Sequence, residues 1–138
     1  MKMIDIFFDF TGKTVVVTGG SKGIGLEVVK RFIDSGAVVY CLSRTDPKID
    51  GCHHIGCNLR NQLSIKLAFD SIKTLDFLIN VAGTNLCCPI EDIDSDEWDR
   101  VMSTNLKSFY YTSKLAVQIM KQKKLWQDCK CFINRRKK

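Results

Sequence analysis

The residues best suited to chemistry stand near the start of the chain, where Thr18-Gly19-Gly20-Ser21-Lys22-Gly23-Ile24-Gly25 follows Thr14-Val15-Val16-Val17 and opens a helical pattern. Glycine lets a backbone turn tightly at positive φ and come close to a bulky anion, and a helix starting there directs unpaired N–H groups at that anion. The stretch reads as a phosphate cradle. By position, Gly19 makes the turn, Gly23 admits the phosphates, and Gly25 lets the helix pack tightly on the preceding strand. The spacing is G-x-x-x-G-x-G, not the G-x-G-x-x-G of the common dinucleotide fingerprint.

A second group follows the next apolar run. An NAD-binding chain places an acid there, about 20 residues past the glycines, to hold the ribose 2′-hydroxyl. This chain has Ser43-Arg44 instead, and Lys22 projects from the glycine turn toward the same corner. Two cations suit a 2′-phosphate, so NADP(H) is expected in preference to NAD(H); the plainer alternative is two solvated surface charges.

Two further constellations lead elsewhere. Cys52, His53, His54 and Cys57 are residue types that bind zinc, but alternation along a strand sends neighbours to opposite faces, and no metal site is expected. Tyr110-x-x-x-Lys114 has the spacing of a tyrosine with a cation to lower its pKa from about 10. It lies on the same helical pattern as Asn105, however, and at ~100° per residue a five-residue step turns Tyr110 to a different face. The pair reads as helix neighbours.

These residues need strands and helices to place them. Residues 14–18, Ala37–Leu42, His53–Leu59 and Leu75–Ile79 read as four strands, the second apolar throughout as befits a parallel strand covered on both faces. Ile24, Val28 and Phe32 form one helical face, ended by Asp34-Ser35-Gly36, and Leu63, Leu67 and Ile72 another. Acids from Glu91 to Glu97 open a long helix, capped at Asp94 or Ser95, whose apolar face runs through Trp98, Val101, Met102, Phe109, Ala116 and Met120. Asn105 is the polar exception on that face, either functional or a satisfied core amide.

With Phe10-Thr11-Gly12-Lys13 ahead of the first strand, Thr18 at its end and Asn80-Val81-Ala82-Gly83 after the fourth, the chain resembles the short-chain dehydrogenase/reductase family from about Phe10 to Lys124. The resemblance implies a Rossmann-like, doubly wound parallel α/β sheet and hydride transfer between a nicotinamide and a carbonyl or alcohol. It implies cofactor contacts from Gly19, Ser21, Lys22, Gly23, Ile24, Gly25 and Arg44. Asn58 and Leu59 would lie against the adenine, Asn80 would brace the sheet, and Ala82 and Gly83 would flank the ribose. Asn105 would sit at a helix distortion and hold a water of the proton relay. The family's catalytic Ser, Tyr and Lys have no counterpart. The expectation is a fold truncated after about the fourth strand and the following long helix, with the cofactor half present and no turnover.

Composition sets the remaining bounds. With 138 residues, 45% hydrophobic and 26% charged, the chain suits one soluble domain. The net charge of +6 is concentrated in residues 125–138, which hold five of the 21 basic side chains and one of the 15 acidic ones. That distribution argues against a nucleic-acid groove. Seven cysteines without a secretory pattern or a membrane-length apolar run indicate a reduced, cytoplasmic protein.

Domain limits of 1–124 and a disordered basic tail of 125–138 are expected. The tail has no period, yet its codons read one base later permit Tyr-Gly-Lys-Ile-Val-Asn-Ala-Ser-Ser, which resembles the family's fifth strand ending in its Ser. A frameshift near residues 123–125 is therefore expected. A small carbonyl or alcohol substrate and homo-oligomerisation belong to the full-length relatives. Two alternatives stand beside the enzyme reading: a nucleotide-binding or partner-binding module without catalysis, and a truncated product without a stable fold.

Overall fold

The computed structural model describes residues 8–86 and 88–122. The frameshift and tail expectations fall outside the described residues.

Four parallel strands, β1 (Thr14–Thr18), β2 (Val38–Ser43), β3 (Cys52–Gly56) and β4 (Phe77–Asn80), lie in the order β3-β2-β1-β4. Between and after them come α1 (Gly23–Asp34), α2 (Gln62–Asp70), α3 (Ser95–Met102) and α4 (Ser108–Gln122), with a 3-10 turn at Ile90–Asp92. A π turn, Ser103–Lys107, joins α3 to α4.

β1 is the middle of this arrangement because its β-branched residues fill both faces. All five of its side chains are buried. Val15 and Val17 join Val29 of α1 with Val39 and Cys41 of β2. Val16 points the other way, into a cluster with Leu42 of β2, Ile65 and Phe69 of α2 and Ala116 of α4. The two-residue alternation of a strand thus builds two cores from one sheet.

Register places the site. Thr18 stands opposite Leu42 on one side and Asn80 on the other, and Ser43 opposite Gly56. The chain therefore leaves all four strands along a single C-terminal edge, where open α/β sheets bind ligands. The order 3-2-1-4 puts β1, the strand before the glycines, at the point where the winding reverses direction.

Several helix faces differ from the sequence reading. Ile24 is 77% exposed, and α1 instead buries Gly25 and Val29, with Val28 and Phe32 half-buried. In α2, Leu63 and Leu67 are exposed, while Ile65, Ala68 and Phe69 are buried. The buried face of α4 is Ser108, Thr112 and Ala116, and Trp98 and Phe109 are exposed. Small residues let α4 lie close to the sheet. Strand β3 ends at Gly56, short of the expected Leu59, and Val38 at the head of β2 is exposed.

Candidate functional site

The C-terminal edge of the sheet opens into a cleft of about 740 Å³. Its floor is the glycine turn. Gly19 has φ +71°, and a Cβ there would come within 2.7 Å of the Ala82 Cα, so the turn after β1 rests directly on the backbone after β4. A Cβ on Gly25 would strike the Gly19 carbonyl oxygen, which explains how α1 starts so close beneath the turn. Gly23, at φ +55°, has nothing within 4 Å of its Cβ position and lines the cleft. Absent side chains at 19 and 25 allow the approach, and the open space at 23 leaves room for a bulky group.

The N-terminus of α1 suits an anion. Its Lys22 N-cap gives no side-chain hydrogen bond, and its first turn holds no acid. The first N–H groups and the positive end of the helix dipole therefore face the cleft without internal compensation. Ser21, Lys22 and Ile24 line the same opening, so the exposure of Ile24 follows from its place at the cleft.

The side walls come from the other strand ends. Ser43, Arg44 and Thr45 follow β2, with the Ser43 hydroxyl donating to the Thr45 carbonyl at 2.7 Å. Asn58 and Leu59 follow β3; the Asn58 Oδ1 accepts from the Arg60 amide at 3.1 Å, which curls that segment. Val81, Ala82, Gly83 and Thr84 follow β4.

Two predicted residues stand behind the cleft. Asn80 Oδ1 accepts from the hydroxyls of Thr18, at 3.2 Å, and Thr112, at 2.9 Å, tying β4 to β1 and α4. Thr18 Oγ1 in turn accepts from the Val81 amide at 3.2 Å. Asn105 sits in the π turn, where its Oδ1 accepts from the Thr84 amide and its Nδ2 donates to the Thr84 carbonyl, both at 2.8 Å. The helix distortion implied at Asn105 is this π turn.

Tyr110 and Lys114 do not line the cleft. Tyr110 is 57% exposed, and the Lys114 Nζ lies 5.9 Å from its ring centroid.

The zinc-type residues on β3 go to separate partners. His53 stacks on Tyr40, and His54 Nε2 is 3.0 Å from the Ser43 carbonyl oxygen. Among the described residues no group of three or more His, Cys, Asp or Glu could hold a metal ion.

Sequence reasoning did not find Arg60, Thr84, Arg100 and Thr104, which also line the cleft. Arg100 is the most connected of them. It donates to Thr84 Oγ1 at 2.7 Å, to the Asn85 carbonyl at 2.9 Å and to both carboxylate oxygens of Glu97. Those hydrogen bonds hold the Glu97 carboxyl below its ordinary range. The available signal was Glu97 three residues before Arg100, a helix ion-pair spacing. Gly20 was also missed: a Cβ there would meet Val29 at 2.7 Å and the Cys41 Sγ at 2.8 Å.

A family model described as short chain dehydrogenase matches residues 13–125. The chain belongs to the short chain dehydrogenase family. An oxidoreductase of Sarocladium schorii is 33% identical over 124 residues, covering 81% of this chain and 50% of its own. The 3-oxoacyl-[acyl-carrier-protein] reductase of Chlamydia pneumoniae is 31% identical over 124 residues, with 79% and 50% covered.

Among solved structures, a short chain dehydrogenase of Leptospira borgpetersenii with bound NAD+ superposes with a TM-score of 0.79 at 30% identity, covering 89% of this chain and 52% of that one. The ligand-free aldohexose dehydrogenase of Thermoplasma acidophilum gives 0.78 at 36% identity, with 81% and 46% covered. The chain spans about half the length of the relatives it matches. Short chain dehydrogenases bind NAD(P), and the glycine cradle, the uncapped helix end and the cationic walls are chemically suited to a dinucleotide's phosphates. Among the described residues no helix is long and apolar enough to cross a membrane.

Proposed function

We propose that this chain is the cofactor-binding half of an NADP(H)-dependent short chain dehydrogenase, and that by itself it binds the dinucleotide without turning over a carbonyl or alcohol. The observation that carries the cofactor choice is charge. Lys22, Arg44 and Arg60 line the cleft, with Arg100 beside them paired to Glu97, and none of the lining residues is an acid. A ribose 2′-hydroxyl donates its hydrogen bond to a carboxylate, whereas a 2′-phosphate pairs with cations.

In this reading the glycine turn and the N-terminus of α1 hold the pyrophosphate, and Arg44 with Lys22 holds the 2′-phosphate. Asn58 and Leu59 flank the adenine, and Ala82 and Gly83 let the ribose lie on the backbone. The bound cofactor would supply or accept the hydride. Asn80 keeps β4, β1 and α4 in register below it, and Asn105 keeps the wall residue Thr84 in place through both its backbone groups.

The test is thermal protection. NADPH should raise the melting temperature more than NADH at equal concentration, and Arg44→Asp should reverse the order. Equal protection by both, before and after the change, would sink the cofactor assignment. No hydride transfer is expected from the chain alone, and turnover abolished by Tyr110→Phe would overturn that part.

A second reading, a partner-binding module without catalysis, draws on the exposed Trp98, Leu106, Phe109 and Tyr110 along α3, the π turn and α4. Dinucleotide binding with no turnover in the presence of the rest of the family fold would favour it.

A further inference from the structure

The segment Gly83–Asn85 has no regular secondary structure, although its Gly83 and Thr84 form a wall of the cleft. Such a segment usually moves, because nothing but its own turns holds its backbone. Here it is held from outside. The Thr84 amide and carbonyl are both taken by Asn105, its hydroxyl accepts from Arg100, and the next carbonyl, of Asn85, accepts from Arg100 as well.

Arg100 is itself oriented. Its Nε donates to Glu97 Oε2 at 2.7 Å and its Nη2 to Glu97 Oε1, so the rigid guanidinium fork spans from one side chain of its own helix to the wall. Lysine could not make this set of contacts, since its ammonium is a point charge with no fixed plane.

The helix is shaped to allow it. Arg100 and Asn105 are five residues apart, and in a regular helix at ~100° per residue they would face ~140° away from each other. The π turn at Ser103–Lys107, closed by the Ser108 N–H on the Ser103 carbonyl, widens that stretch. Both side chains then reach Thr84. A π turn lacks the tight packing of an α-helix and persists where function rewards it.

We propose that Glu97 and Arg100, together with the π turn, are a positioning clamp that fixes the Gly83–Asn85 wall for the dinucleotide. The inference rests on the cofactor-binding reading above. Arg100 acts through Thr84 and Asn85, so it is a positioning residue; the competing role, since it lines the cleft, is a direct charge contact with the ligand.

Four variants separate the two roles: Arg100→Lys, Arg100→Ala, Glu97→Ala and Glu97→Gln. Each is read by NADPH dissociation constant, by its salt dependence, and by hydrogen exchange without ligand at the Thr84 amide, which is the one hydrogen-bonded to Asn105. The clamp predicts that Arg100→Lys, despite its kept charge, weakens NADPH binding about tenfold, the scale of losing a pair of charge-assisted hydrogen bonds, and speeds exchange at the Thr84 amide by loosening the wall that holds it against Asn105. Glu97→Ala, which leaves Arg100 in place, should do the same, and Glu97→Gln should recover much of the binding because one side-chain acceptor remains.

Arg100→Lys binding within twofold of the parent would overturn the clamp. So would weakened binding with unchanged exchange, which assigns Arg100 to direct contact. If Arg100→Ala does not fold, the Glu97 pair gives the same reading. Failure of the parent chain to bind NADPH overturns the cofactor reading itself and the clamp's role with it, whereas parent binding that none of the variants alters overturns the clamp alone.

Discussion

At the scale of single residues, the glycines of this chain do three different things, and substitution separates them. Gly25→Ala puts a methyl against the Gly19 carbonyl and within 3.1 Å of the Gly20 Cα, backbone atoms that cannot swing aside. Overpacking of this kind costs about 1–3 kcal/mol, and it should displace the cradle as well. Gly56→Ala is the control, with nothing within 4 Å of its Cβ position and no positive φ, and it should leave stability within about 1 kcal/mol or raise it slightly. Urea unfolding of the two variants measures the contrast; equal midpoints would mean that the tight approach at Gly25 is not needed. The separate positions of Gly19, Gly23 and Gly25 were legible because their spacing after a β-branched strand is local information. Gly20 was not, since what it avoids is Cys41 on the neighbouring strand, a contact that only the register of β1 on β2 creates.

At the scale of elements, existence was legible and orientation was not. All four strands and the helices between them followed from apolar runs, turn residues and periodicity. The buried faces did not follow, because α2 carries two apolar stripes: Leu63 with Leu67, and Ile65 with Phe69, each at a four-residue spacing. Nine residues of helix contain no signal that chooses between them; the choice is made by which stripe meets Val16 and Leu42. Phe69→Ala should therefore cost about 3–5 kcal/mol and Leu67→Ala less than about 1 kcal/mol, read as shifts in the urea midpoint. The reverse ranking would mean that α2 is rotated. On α4 the apolar pattern misled for a related reason. Its buried face is Ser108, Thr112 and Ala116, where the Ser108 hydroxyl is returned to the Thr104 carbonyl and the Thr112 hydroxyl reaches Asn80, so that polar residues are buried without loose ends. Hydrophobic periodicity cannot see a face chosen for smallness and hydrogen bonding. Arg100 escaped for the same reason: its partners Thr84 and Asn85 are distant in sequence and placed by β4.

At the scale of the whole molecule, one sheet divides two cores, and both contain buried thiols. Cys41 belongs to the α1 side, with Cys52 packed at its margin, and Cys57 to the α2 and α4 side. Burial raises the pKa of each thiol above the ordinary 9.0, and Cys52, also beside Cys41, is pushed up to about 11. The folded state thus prefers the neutral thiol. Their contribution to stability is fully present below pH 9.0, where both states are protonated, and is lost as the pH rises toward about 11, because the unfolded chain ionises first. Urea midpoints measured from pH 8 to pH 10.5 should therefore fall, and Cys52→Ala should fall less steeply than the parent over the same range. Every other group is common to both proteins, so the difference between the two curves isolates the thiol. Parallel curves would show that the Cys52 thiol ionises equally in both states. A steeper fall for Cys52→Ala would reverse the sign and place a favoured thiolate in the fold, against the burial that raises the Cys52 thiol.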